Sequence, residues 1–230
     1  MKGQFDRTIG LIGEIALEKL QKSKVAVVGL GGVGSYSVEA LARSGVGSLV
    51  IADCDVISPS NINRQLPALN STVDKDKVQI VKERILDINP DVQVYIISER
   101  ISDNTPKELF GGCDYIIDAI DDVNAKVFLI KTAKELGVPI ISSMGTGNKL
   151  NILDLKVTDI FKTSVCPLCK VMRKRLRDEN IESLDVVYSE ETPRECTFDE
   201  EGKRVPSSMV FVPAAAGLLL AETVVKRLIL

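Results

Sequence analysis

An α/β fold with a doubly wound, mostly parallel sheet, finished by a C-terminal antiparallel extension and a helix, is what this sequence predicts. Short apolar runs of strand length alternate with helical stripes across residues 1–145. The turn Gly29-Leu30-Gly31-Gly32-Val33-Gly34 directly follows the first such run, and Asp53 closes the second, 19 residues past the last glycine. A chain of 230 residues with 45% apolar content can bury one large core, so 1–230 reads as a single domain.

In order along the chain, residues 5–20 place Ile9, Ile12, Ala16 and Leu20 near helical spacing, and the amphipathic segment 1–22 reads as a helix facing a neighbouring chain. Residues 25–28 form a buried strand. Residues 35–43 form a helix ended by Ser44-Gly45, and 49–52 a second strand, which completes a βαβ unit. Val78, Val81, Ile85 and Ile88 share one stripe of a helix over 74–88, which Asn89-Pro90 stops before the strand 92–97. A strand at 115–119, a helix at 123–136 ended by Gly137, and a strand at 138–142 continue the alternation. From Asn151 the pattern changes. Ile152, Leu153, Leu155 and Val157 alternate as in a strand, and the polar stretch that follows marks 158–205 as a substrate-facing or mobile insertion. Residues 209–212 read as a strand and 214–230 as a closing helix packed back on the sheet.

Composition removes several classes of function. With 29 basic and 32 acidic residues, net charge −3, no global field draws the chain to nucleic acid or membrane. The opening residues lack a signal-peptide run, and the apolar stretch 209–221 is interrupted by Pro213 and Gly217, short of the roughly 20 residues a spanning helix needs. A cytoplasmic protein without membrane contact is expected. With no histidine, general-base work falls to carboxylates, lysine or the substrate itself. Five cysteines, an odd number, argue against a disulfide framework, and Cys54 and Cys113 read as small packing residues. Cys166-Pro-Leu-Cys169 lacks the thioredoxin-like context that a redox reading wants. Lys162, Lys170, Arg173, Lys174, Arg175 and Arg177 concentrate positive charge; a solvated helix and a track for nucleic-acid phosphates explain them equally well.

The glycine turn carries the chemistry. Gly29 permits the tight turn, Gly31 and Gly32 let backbone approach phosphate, and Gly34 opens a helix whose free N–H groups attract an anion, with Asp53 placed for ribose hydroxyls. Alone, this Rossmann-like fingerprint serves redox cofactors equally. The continuation does not. Asn61 and Arg64 leave the carboxyl end of the second strand, Lys77 sits in the first turn of the next helix, and Asp121 follows the fourth strand. Two cations, an amide and a spare carboxylate fit nucleotidyl transfer, in which a divalent metal bridges phosphate oxygens and cations neutralise departing pyrophosphate. Asp118 competes with Asp121; its alternative role is to hold the strand end by accepting backbone N–H bonds.

On Gly29 to Gly34, Asp53, Ser60-Asn61-Ile-Asn63-Arg64-Gln65, Asp76-Lys77-Val78 and Asp118-Ala-Ile-Asp121-Asp122, in that order, the chain resembles the ubiquitin-activating and sulfur-carrier adenylyltransferase superfamily. The resemblance implies ATP binding, attack of a substrate carboxylate on the α-phosphate, and an acyl-adenylate intermediate. It implies that Asp53 holds ribose, that Asn61, Arg64 and Lys77 hold phosphates, and that Asp121 holds Mg2+. It also implies a homodimer in which Arg7 reaches the partner's ATP site.

Over almost the whole chain the match is narrower. Arg7-Thr8-Ile-Gly10-Leu11-Ile-Gly13-Glu14, Glu39-Ala40-Leu41-Ala42-Arg43-Ser44-Gly45-Val46-Gly47, Ile85 to Pro90, Thr158-Asp159-Ile160 and Pro206-Ser-Ser-Met-Val-Phe211-Val-Pro213 look like the tRNA threonylcarbamoyladenosine dehydratases. That family implies a tRNA partner and activation of the threonyl carboxylate beside the anticodon, captured within the same side chain with net loss of water. The alternative is activation of the C-terminal glycine of a ubiquitin-like sulfur-carrier protein, with a cysteine desulfurase as a further partner. Adenylyltransferases of that kind hold structural zinc with two Cys-x-x-Cys pairs; here one pair stands with Cys196 as a spare, so zinc is not expected. A nicotinamide-binding sensor is a third account, disfavoured by Arg64, Lys77 and Asp121.

Overall fold

The computed structural model describes residues 3–195, 199–200, 203–204 and 206–230. Its opening helix is broken in two. Gly13, at φ 82° and ψ 163°, lies outside helical space, so α1 (Asp6–Ile12) ends there and α2 (Glu14–Lys22) restarts. α1 buries none of its side chains, whereas α2 buries Leu17 and Leu20. The chain then runs through β1 (Lys24–Val28), α3 (Gly34–Ser44), β2 (Ser48–Ala52), α4 (Lys77–Ile88), β3 (Gln93–Ile97), β4 (Tyr115–Asp118), α5 (Val123–Leu136) and β5 (Ile140–Ser143). Gly45 and Gly137 end α3 and α5 in the left-handed conformation, as their positions predict.

β1 to β5 are all parallel, in the order β3-β2-β1-β4-β5. Register matters most for the site. Val28 lies level with Ala52 on one side and Asp118 on the other, Ala52 with Ile97, and Asp118 with Ser142. Gly29, Asp53 and Ala119, which follow β1, β2 and β4, and Ser143, which ends β5, therefore emerge in a row along one carboxyl edge, where doubly wound sheets bind ligands.

The sheet does not end at β5. β6 (Leu155–Asp159), α6 (Pro167–Asp178) and β7 (Asp185–Ser189) follow; β7 adds parallel to β5 and β6 closes the edge antiparallel to β7. Much of the segment read as an insertion is thus part of the framework, because Cys169, Met172 and Leu176 anchor α6 in the core and β7 is buried along four of its five residues. Two departures are local. Residues 152–154 form a single 3-10 turn before β6. After a minor ribbon of β8 (Asp199–Glu200) and β9 (Lys203–Arg204), the expected strand at 209–212 is absent, and α7 (Phe211–Ile229) begins two residues before Pro213. Proline is tolerated there because the first turn of a helix has no intrahelical use for its N–H.

Two cores cover the two faces. α2, α3, α4 and α7 supply Leu20, Leu41, Val81, Ile85 and Leu220 to one; α5 and α6 supply Leu129, Ile130, Met172 and Leu176 to the other. α7 crosses α3 closely at Gly217, where any Cβ would lie 2.2 Å from the Val33 carbonyl, and Ser37 Oγ donates to the Gly217 carbonyl at 2.9 Å. Among the described residues, no helix is long and apolar enough to cross a membrane.

Candidate active site

The glycine turn is built by exclusion. Gly29 has φ 88°, and a Cβ there would lie 2.6 Å from the Ala119 carbonyl, while one at Gly34 would fall 1.7 Å from the Gly29 carbonyl. Gly31 differs: its nearest neighbour would be Gln65 Nε2, at 3.7 Å. The turn is therefore packed shut against β4 and open towards Gln65. α3 starts on this turn, and the first N–H groups of a helix have no intrahelical acceptor.

Asp53 locks the turn from the side. Its Oδ2 accepts the Leu30 N–H at 2.7 Å and its Oδ1 the Asp55 N–H at 2.9 Å. Lys77 is only 2% exposed, and its ammonium sits 3.1 Å from Asp53 Oδ1 and 3.0 Å from Asp55 Oδ2. Asp55 was not picked out by sequence reasoning, yet it is half of what holds this lysine. The first turn of α4 thus brings the cation to the Asp53 side of the cavity, bound to two carboxylates.

Arg64 and Asn61 part company. Arg64 lies over the turn, with its side-chain carbons beside Gly32, and its guanidinium donates to the Ser60 carbonyl at 2.8 Å and to Asn63 Oδ1 at 2.9 Å. Asn61 instead folds back on its own 3-10 turn, accepting the Ser58 N–H at 3.1 Å, and does not line the cavity.

The pair Asp118 and Asp121 divides by depth. Asp118 is fully buried, accepts the Ile120 N–H at 3.1 Å, and shares its other oxygen between Lys126 Nζ at 2.9 Å and Ser142 Oγ at 2.6 Å. Lys126 is as deeply buried as its partner. Asp122 caps α5 by accepting the Ala125 N–H at 2.8 Å. Asp121, between them, is exposed and faces the cavity. Sequence reasoning missed Lys126; its spacing, eight residues past Asp118 on a helix otherwise apolar at that face, was the available signal.

These groups surround one cavity of about 620 Å³, lined by Gly31, Gly32, Asp53, Arg64, Lys77 and Asp121, with Ser143 to Gly147 as its far wall. Gln65 Oε1, buried beside Gly31, has no hydrogen-bond partner among the described residues. A buried acceptor without a partner on a cavity wall is what a bound polar ligand would satisfy. Anion-seeking amides and an arginine fit a nucleotide phosphate chain, and Asp121 adds an exposed carboxylate to the same lining.

Other expected residues lie elsewhere. Arg7 is exposed on α1 and outside the cavity of its own chain. The basic run on α6 is partly engaged: Arg173 holds the Thr163 carbonyl at 3.1 Å, Arg175 holds Asn124 at 3.0 Å, and Arg177 lies 5.3 Å over the Phe161 ring, while Lys170 and Lys174 are exposed. Cys113 packs in the core as expected, but Cys54 does not; it is exposed on the cavity rim, and burial together with Asp55 and Asp53 pushes its thiol up. Cys166 and Cys169 are buried and free. Cys196 lies outside the described residues. Among those described, no cluster of three or more potential metal ligands occurs.

A mostly parallel sheet with a glycine-lined crevice, cations and a carboxylate at its carboxyl edge defines the class, and the chain belongs to the ThiF family, whose model matches residues 5–229. It is similar to the tRNA threonylcarbamoyladenosine dehydratase of Bacillus subtilis, at 42% identity over 243 aligned positions that cover 100% of this chain and 96% of the relative. Its fold superposes on that of the Escherichia coli tRNA N6-threonylcarbamoyladenosine dehydratase solved with ATP, with a TM-score of 0.89 and 31% identity over 98% of this chain and 93% of that one. The Escherichia coli sulfur carrier protein ThiS adenylyltransferase is 32% identical over a shorter reach, 65% of this chain and 61% of the relative.

Proposed function

We propose that this protein uses ATP to activate the threonyl carboxylate of threonylcarbamoyladenosine in tRNA as an acyl adenylate, and that the same side chain then captures the acyl group in a ring with net loss of water. The observation that supports this reading is full-length similarity to a dehydratase of that specificity, together with a crevice lined by the glycine turn, Arg64 and Asp121.

In this reading Asp53 holds ribose while Lys77 balances its charge and that of Asp55, and Lys77 turns to phosphate when ATP enters. Arg64, already over the turn, neutralises the leaving pyrophosphate. Asn61 supports this by shaping the segment that carries Arg64. Asp121 holds Mg2+, which when bound supplies charge for the phosphate oxygens. No enzyme thiol is needed for closure, because a nucleophile tethered to the acyl group reacts at high effective molarity. The exposed Lys170 and Lys174 on α6 suit tRNA phosphates. The protein acts as a homodimer in which α1, with no buried face of its own and with Leu11 86% exposed, is covered by the partner, bringing Arg7 to the other site.

Incubation with ATP, Mg2+ and threonylcarbamoylated tRNA, followed by mass spectrometry of the nucleosides, should show the modified adenosine lose one water. Asp121→Ala should cut that turnover by at least about 10²-fold, with an unchanged circular dichroism spectrum. Undiminished turnover in Asp121→Ala would refute its role. Pyrophosphate exchange driven by a Gly-Gly-tailed carrier protein, with no change in the nucleoside, would instead support the sulfur-carrier reading.

A further inference from the structure

The Cys-x-x-Cys pair takes no part in the reaction proposed above, and its surroundings give it chemistry of its own. Cys166 is the N-cap of α6, with Pro167 setting the helix start and Cys169 one turn in. Both sulfurs belong to the same buried cluster, at 2% and 0% exposure. The first sulfur lies directly behind the cavity wall: Gly145 lines the cavity, and a Cβ on it would stand 3.5 Å from Cys166 Sγ. The two thiols are unequal. Cys166 is the more acidic of the two. The Cys169 thiol first, then the Cys169 and Gly145 amides and the Lys149 charge, hold its pKa down to about 5 against the cost of burial. The Cys169 thiol is pushed up, by its bond to Cys166 and by burial. A Cys-x-x-Cys pair on the first turn of a helix, with one thiol held down and the other pushed up by their surroundings, is the arrangement of a thiol–disulfide exchange site.

We infer that Cys166 and Cys169 form a reversible dithiol–disulfide site behind the wall of the nucleotide cavity, with small-molecule disulfides as its oxidants and thiols as its reductants. When local opening of the Gly145 segment exposes it, the Cys166 thiolate attacks one sulfur of the small disulfide, whose S–S bond breaks to release a thiolate. Cys169 passes its proton to that thiolate and attacks Cys166 Sγ. The second small thiolate leaves, so the pair loses two electrons and the small disulfide is reduced to two thiols. This assignment does not rest on the tRNA reaction.

The test is a titration of the full chain in buffers of reduced and oxidised glutathione, quenched with an alkylating agent and read by intact mass and peptide mapping. Wild type should lose two alkylatable thiols per chain, linked as Cys166–Cys169 and restored by reduction. Cys169→Ser should stop at one glutathione on Cys166, and Cys166→Ser should leave Cys169 free. The rate of the first step should change less than about 2-fold between pH 6 and 8, where an ordinary thiol gains about tenfold per unit. Any of four results overturns the inference: both thiols staying alkylatable in wild type, a glutathione adduct persisting beside Cys169, linkage to another cysteine, or zinc held by the pair in the purified protein. The wild-type measurement needs no substitution, so misfolding of a variant cannot produce the expected result.

Discussion

Lys126 spends its charge where no water reaches. With both side chains fully buried, its ion pair with Asp118 gains Coulomb energy in a low dielectric but must offset two desolvation penalties, so the pair is worth little while intact and costs much when halved. Ser142 Oγ and the Ile120 N–H complete the shell of the Asp118 carboxylate, and the second of these bonds holds the turn that carries Asp121. Lys126→Met should therefore destabilise the fold by about 3–5 kcal/mol by leaving an uncompensated carboxylate. Adding Asp118→Asn should restore part of that loss, and urea midpoints for the single and double variants would measure it. A double variant no more stable than Lys126→Met would contradict the ion-pair account. In the sequence Asp118 and Asp121 stand as rivals three residues apart; the structure separates them by depth, one satisfied in the core and one facing the cavity.

At the scale of elements, α3 and α4 are joined by one carboxylate. Glu39 on α3 takes Arg84 of α4 at 2.7 and 3.0 Å, and Arg43 one turn further along its own helix at 2.8 Å. Burial pushes the Glu39 carboxyl up, but the Arg84 and Arg43 guanidiniums outweigh it and leave the pKa lowered. A carboxylate depressed in the folded state contributes stability above its unfolded pKa and loses it as pH falls through the folded value. Glu39→Gln should thus cost about 1 kcal/mol at neutral pH. The gap between variant and wild type should close below about pH 4, the ordinary glutamate range. Thermal unfolding across that pH series is the check, and a gap independent of pH would rule out the charge as its source. This tie holds the helix that begins at the glycine turn to the helix that begins at Lys77, so the two N-termini on the cavity keep their spacing.

For the whole molecule, the site is complete only if α1 of one chain meets the crevice of another, as proposed. Arg7→Ala and Asp121→Ala should each be inactive alone, yet an equilibrated mixture should recover up to about a quarter of wild-type turnover, since one site in a mixed dimer would keep both residues and random pairing makes half of the dimers mixed. No recovery after subunit exchange would count against shared sites. Periodicity and punctuation were enough to predict β1 through β5 with their helices, because a parallel sheet buried on both faces writes itself as apolar runs separated by helical stripes and left-handed glycines. That the glycine turn, Asp53, Arg64, Lys77 and Asp121 would share one cavity was legible for a similar local reason: all lie on segments that leave the carboxyl ends of strands. Three things were decided only by tertiary structure. Polar residues flanking β7 and α6 hid a strand and a helix whose burial depends on distant partners. Gly13 and Pro213 are each compatible with a helix that continues or one that breaks or begins there, so those boundaries were not set by the sequence. Lys77 and Lys126 found carboxylate partners on other elements, and the energy of a charge depends on what surrounds it in space, which spacing along a sequence does not record.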